Sequence, residues 1–392
     1  MYKTLKQNCI ICDSNSHSVF FERNHVPIHP YINSKKDNFS GKIKILKCKK
    51  CNHLHNYSFE EKLLNKLYSS GIITNTPVSD DMVKSIFFLK EWLLTNCKTK
   101  ISKILEIGGG SGALAACFND IIDHYLMIEP GLSDQALKNL EKYNNIIVSR
   151  SGFPNSEVNK GYDLIICRQV LEHVSNPLSF LKSIYEISSE STFIYIEIPS
   201  ADYIVSNKSV IDFHYPHVHY YFENNAKKLF QKLGFKVSQT QYLKNGHDIG
   251  FLLSKSLTNE SKVAKNFNKK EFNPFNIANI EISKKNKIAL YGANAYSQSF
   301  LGLYALKFNI LKVFDDTPVY KDNFCYYKNK FYPILIPNSK NIKEIDDIII
   351  TAYLHDSSIF KKLVKLGFKG NIFTLRNEKT DNIKKLRKFF IN

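Results

Sequence analysis

The chain has 392 residues, 43% hydrophobic and 23% charged, with 54 Lys and Arg against 36 Asp and Glu and a formal net charge of +18. This length predicts two or three domains with cores of their own, and the composition is that of a globular chain, which excludes disordered and fibrous classes. No run approaches the ~18–20 apolar residues needed to cross a bilayer, and the N-terminus M-Y-K-T-L-K-Q-N-C lacks a signal peptide's apolar core, so a cytoplasmic protein is expected.

The basic balance suits phosphate-bearing partners. Its lysines are dispersed among many asparagines, however, so the charge is weak support for nucleic acid.

Residues 1–60 carry two C-x-x-C pairs, Cys9/Cys12 and Cys48/Cys51. In a chain without an export signal this pattern predicts metal, not disulfides. Four thiolates close a tetrahedral shell, so the expected ion is a structural Zn2+ with no open position. Such turns need positive φ just past the second cysteine, and Asp13 and Asn52, residue types that tolerate it, occupy those places. His17, His53 and His55 are surplus to a full shell and are expected on the surface. Cys97, Cys117, Cys167 and Cys325 read as buried single cysteines.

Residues 61–100 read as a helical bridge that starts its second helix at Asp80 and Asp81 and covers the mouth of the next domain. Residues 101–256 alternate strands and helices, with strands at 103–107, 124–129, 146–149, 162–167, 192–198, 235–243 and 248–255. The last two form an antiparallel pair about K-N-G-H. The expected fold is α/β, a Rossmann-like doubly wound sheet. A linker at 257–286 leads to a smaller α/β unit at 287–392. It repeats strand, glycine and helix in K-I-A-L-Y-G-A-N-A-Y-S, and its expected role is structural or as a wall of the substrate pocket.

The informative stretch is K-I-L-E-I-G-G-G-S-G, residues 103–112. Gly108, Gly110 and Gly112 alternate after Glu106, and a helix start follows. Glycine lets a backbone turn tightly and touch a ligand at the carboxyl edge of a parallel sheet. The next strand closes on Glu129, where a carboxylate can accept both hydroxyls of a ribose. Phe153 and Arg168, after the third and fourth strands, join these as cofactor-binding candidates.

The fourth strand continues as R-Q-V-L-E-H-V and brings His173 to the cleft, as a base or a sugar-oxygen partner. The second constellation, D-F-H-Y-P-H-V-H-Y-Y-F at 212–222, packs three histidines and three tyrosines into eleven residues. Such side chains pair an apolar body with a polar tip, which suits sugar recognition. In an extended segment His214, Pro216 and Val218 would face one way, and Tyr215, His217 and His219 the other. No acid is interleaved there, which counts against a metal site.

The E-x-G-x-G-x-G spacing resembles the first motif of class I S-adenosylmethionine (SAM) methyltransferases. Taken with the four-cysteine module, the helical bridge and the second α/β unit, the whole order resembles the sugar C-methyltransferase family, whose members methylate ketosugars carried on a nucleoside diphosphate. That resemblance implies SAM as cofactor and a pocket histidine at His173, where Q-V-L-E-H matches the family's N-V-L-A-H. The family's Y-x-E-H falls on Tyr215–Val218, with His217 in place of Glu and Val218 in place of His. The bridge also lacks the family's aromatic Y-x-Y-F-S. His217 or His219 then stands as the base and Tyr215 as the group steadying an enolate. Because the Glu-His pair is missing, methyl transfer to nitrogen or oxygen joins carbon as an expectation. The alternative, an RNA methyltransferase with a zinc-binding recognition module, would need a base-gripping [D/N]-P-P-[Y/F], which is absent after the fourth strand.

Overall fold

The computed structural model describes residues 8–63, 67, 80–256, 282–376 and 387–388. The expected connector between the bridge helices and most of the 257–286 linker lie outside them.

In chain order, β1 (His17–Pro27), β2 (Ser40–Cys48) and β3 (Leu54–Asn56) form an antiparallel N-terminal sheet, followed by helix α1 (Asp80–Asn96). The central run begins with β4 (Lys103–Ile107), α2 (Ala113–Phe118), β5 (His124–Ile128), α3 (Asp134–Leu140), β6 (Ile146–Ser149) and β7 (Leu164–Arg168). It continues with α4 (Pro177–Ile187), β8 (Phe193–Pro199), α5 (Ala201–Ser206), β9 (His219–Tyr220), α6 (Glu223–Lys232), β10 (Phe235–Leu243) and β11 (Asp248–Lys255). The central sheet has the order β10-β11-β8-β7-β4-β5-β6. Strands β4 to β8 run parallel, while β11 lies antiparallel to both β8 and β10. Progression reverses at β4, which has β5 on one side and β7 on the other. In a parallel sheet such a switch point leaves a crevice at the carboxyl ends.

Side-chain alternation divides the sheet into two buried faces. Ile104, Tyr125, Leu164 and Leu252 meet Leu89 and Leu93 of α1 together with α2 and α3. Leu105, Leu126, Ile165 and Phe251 meet α4, α6 and the four N-terminal cysteines. Helix α1 therefore lies on a face of the sheet, its Lys90 Nζ donating to the Cys117 carbonyl at 2.8 Å. This helix does not cover the mouth, since its Leu89 and Leu93 are buried on that face, and residues 64–66 and 68–79 of the bridge lie outside the described residues.

The C-terminal part contains β12 (Ile288–Tyr291), α7 (Ala295–Tyr304), β13 (Ile310–Phe314), β14 (Phe324–Tyr327), β15 (Lys330–Leu335), β16 (Asp347–Ile350), α8 (Asp356–Lys365), β17 (Asn371–Thr374) and β18 (Arg387–Lys388). Its sheet order is β14-β15-β13-β12-β16-β17-β18. One face packs on α8. The other shares a single core with α7, the N-terminal sheet and residues 210–215. Polar contacts pin this junction: Tyr326 Oη accepts from Ile28 N at 3.1 Å, and Tyr353 Oη donates to Asp212 at 2.9 Å. Strand β9 leaves the central run and extends the N-terminal sheet, with His219 opposite His55.

Candidate active site

The glycine turn behaves as its residues require. Gly108, Gly110 and Gly112 have φ of 78°, 57° and 76°, left-handed values that strain any residue with a Cβ. At Gly108 space is also short, since a Cβ would fall 2.2 Å from Val170 Cγ2. The turn is thereby pressed against the segment that follows β7.

Glu129, one residue past β5, meets the turn. Its Oε2 accepts from Gly110 N and its Oε1 from Gly131 N, both at 2.9 Å. Burial raises this carboxyl's pKa, opposed by those two amides. Glu106 lies beneath, 3% exposed, with Tyr125 Oη donating to it at 2.8 Å. Burial lifts it to about 7. Phe153 is partly buried and packs edge-on against Phe180 of α4. Arg168 is committed to Glu197, Nε and Nη2 donating to its two carboxylate oxygens at 3.0 and 3.2 Å. Burial opposes its charge, but Glu197 more than offsets this and holds its pKa above the ordinary value.

A 3-10 turn at Leu171–His173 carries the site outward from Val170. His173 Nδ1 donates to the Pro216 carbonyl at 3.1 Å, and Val218 N donates to the Glu172 carbonyl at 2.7 Å. Both bonds tie residues 212–222 down beside the glycine turn, on the same edge of the sheet. There His173 and His217 meet edge to face at 4.8 Å, and His214 lies 4.7 Å beyond His217. Burial pushes His173 down to about 4 and His217 well below its ordinary value. Both rings are therefore neutral at pH 7.

The alternation expected for this stretch fails. His217 N bonds back to the His214 carbonyl at 3.3 Å, so the chain turns and brings His214 and His217 together. His219, on β9, goes to a different cluster, with Nδ1 3.2 Å from His53 Nε2. Its pairing with β3 places it there and not beside His173. His53 and His55 are correspondingly buried, not on the surface as expected. Tyr215 is corrected too. Its ring fills the space over Gly41, and its hydroxyl accepts from Glu60 N at 3.0 Å, so it packs the N-terminal sheet instead of facing His217.

The sequence reading missed Glu172, Asp212, His247 and Asp248. His247 is buried between Asp248 at 2.6 Å and Asp212 at 3.0 Å. Burial works against its charge, but the two carboxylates raise it to about 9. The only local signal was the H-D pair in the hairpin K-N-G-H-D.

The second glycine turn echoes the first. Ala293 N and Thr317 N donate to the two oxygens of Asp315 at 2.7 and 2.8 Å. A Cβ on Gly292 would strike Ala352 at 2.7 Å, so that turn is closed by packing.

At the N-terminus the Sγ atoms of Cys9, Cys12, Cys48 and Cys51 all lie within 4.8 Å of one another. Asp13 and Asn52 have φ of 58° and 63°, as two such turns require.

Residues 84–240 match the profile of the family described as "Methyltransferase domain". The match spans the glycine turn, Glu129 and both histidines, on a sheet of the class I order. Residues 84–240 are a methyltransferase domain. The chain is also similar to solved methyltransferases. One is a SAM-dependent enzyme from Clostridium acetobutylicum (15% identity, 46% of this chain and 93% of that one, TM-score 0.37). Another is magnesium protoporphyrin IX methyltransferase from Synechocystis with bound S-adenosylhomocysteine (12%, 50% and 99%, TM-score 0.39). A third is 1,6-didemethyltoxoflavin-N1-methyltransferase from Burkholderia thailandensis (12%, 44% and 78%, TM-score 0.37). No curated protein matches the chain. Among the described residues, no helix is long and apolar enough to cross a membrane.

Proposed function

We propose that this methyltransferase acts on a small sugar bearing phosphate or another anionic group, a nucleotide-activated sugar being the leading class, at carbon, nitrogen or oxygen. The observation that carries the reading is the meeting of His173 and His217 over the segment that presses Val170 against Gly108. SAM supplies an electrophilic methyl on a sulfonium. The Glu129 carboxylate, oriented by the Gly110 and Gly131 amides, is the group suited to hold its ribose. With Nδ1–H given to Pro216, His173 has Nε2 as its acceptor nitrogen. A neutral imidazole so placed can take the acceptor's proton as the methyl arrives.

The net charge of +18 favours an anionic acceptor. We assign residues 1–60 as a zinc module, 61–100 as a bridge, 101–256 as the SAM domain, 257–286 as a linker and 287–392 as a C-terminal domain. Sulfur separations of 3.4 Å for Cys9–Cys51 and 3.5 Å for Cys12–Cys48 suit a tetrahedral shell with Zn–S near ~2.3 Å. A closed shell of this kind shapes the fold and takes no part in transfer.

The test has two arms. Calorimetric titration with S-adenosylhomocysteine should show saturable binding, and no heat or thermal shift would remove the reading. A panel of sugar nucleotides and amino-sugar acids with SAM should give a mass gain of one methyl, placed by NMR.

A further inference from the structure

The geometry points to a divalent transition-metal site formed by Glu172, His173 and His217, separate from the four cysteines. One carboxylate oxygen and one nitrogen of each ring lie within 4.8 Å of one another. Three atoms so spaced can all lie within about 2.8 Å of one point, so closing onto a metal–ligand bond of ~2.1 Å takes shifts of under about an ångström.

The second observation is independent of that spacing. Glu172 is 1% exposed, yet neither carboxylate oxygen has a hydrogen-bond partner. His217 Nδ1 is likewise buried without one. A carboxyl group stripped of water and given no donor is costly, and a cation is the partner that satisfies it with the two imidazoles beside it.

His173 donates its other ring nitrogen to the Pro216 carbonyl, the kind of outer bond that orients a ligating imidazole and sets its tautomer. Glu172 is held by Val218 N on its backbone carbonyl, so the same strap positions two of the ligands. His173 and His217 are both partly exposed, giving an ion a way in. Two imidazoles and one carboxylate suit Zn2+, Fe2+ or Mn2+ and leave positions open. An acceptor oxygen filling such a position would be held by the ion, which would then replace direct proton acceptance by the imidazoles. That use rests on the reading proposed above, whereas binding of the ion does not.

Full-length protein, loaded with zinc at the cysteines and desalted from a weak chelator, is exposed to Co2+, Zn2+, Mn2+ or anaerobic Fe2+ and its metal content measured. The expected result is one equivalent beyond that held by the cysteines. Its cobalt spectrum should show weak d–d bands without the strong thiolate charge-transfer band. Glu172→Gln and His217→Ala should each weaken that equivalent by at least ~100-fold, more than the loss of an outer-sphere partner. An extra equivalent that survives both substitutions, or none in the wild type, overturns the site. Absence of the extra equivalent in the wild type overturns the site even if a variant fails to fold. Failure here would leave the imidazoles as bare bases and cofactor binding intact; failure of S-adenosylhomocysteine binding would leave the metal count unchanged.

Discussion

Glu129→Gln is the sharpest probe of the cofactor reading. The substitution keeps the side chain's volume but turns one of two acceptor oxygens into a donor. Both oxygens are in use, one on Gly110 N and one on Gly131 N at 2.9 Å. An amide can satisfy only one of these and must turn its NH2 toward the other N–H. The lost bond, made to a group with carboxylate character, is worth about 1.5–3 kcal/mol. A ribose hydroxyl donating to that same end loses its acceptor as well. The protein's own bond is lost in the free and bound states alike and so lowers the stability of the turn, whereas the lost ribose bond, of the same size, is what affinity reads: it should fall ten- to a hundredfold, at about 1.4 kcal/mol per factor of ten. Isothermal titration of wild type and variant with S-adenosylhomocysteine reads this directly, with a far-ultraviolet spectrum as the check on folding. A folded variant that binds within twofold of wild type would refute the placement of the ribose at Glu129.

His173→Ala and His217→Ala should lose turnover while S-adenosylhomocysteine affinity stays within a few-fold, because neither ring belongs to the glycine turn; wild-type turnover in either variant removes that residue from the reaction. Glu106 tests the buried charge. Below about pH 4.5 the folded and unfolded chains both hold its proton, whereas from 4.5 to about 7 only the folded chain does. Stability therefore falls as pH rises through that window and stays lower above it, by about 3 kcal/mol over the roughly 2.5-unit span. Glu106→Gln should flatten this slope and unfold at higher urea than wild type at pH 8, though not at pH 4. Cys9→Ser and Cys48→Ser should abolish tight zinc binding, read as metal per chain after desalting, and lower solubility; soluble, zinc-free and fully active protein would contradict a structural role.

Local chemistry was readable in advance. The strand ends, the positive-φ glycines and the Asp13 and Asn52 turns each depend on a few adjacent residues, whose steric preferences hold in any fold. The strands of the central run were legible for the same reason, since runs such as Leu164–Cys167 have few other ways to bury. The N-terminal sheet was missed because its pattern is broken by bulges between Val19 and Phe21 and between Arg23 and Val26.

Residues 212–222 show where local reading ends. Their composition marks them as a site, but a period-two pattern assumes an extended chain, and the turn between His214 and His217 rotates the side chains out of that order. Pairing with β3 draws His219 away, packing over Gly41 absorbs Tyr215, and the strap to Glu172 sets His217 against His173. The amino-acid order thus determined a glycine turn, an acid at the end of the next strand and a four-cysteine cluster, because each is a short-range consequence of backbone sterics or ligand spacing. Which histidines meet, and which carboxylate they meet, was decided only when three sheets packed together, because that contact joins residues far apart in sequence and a burial energy shared by the whole core holds it.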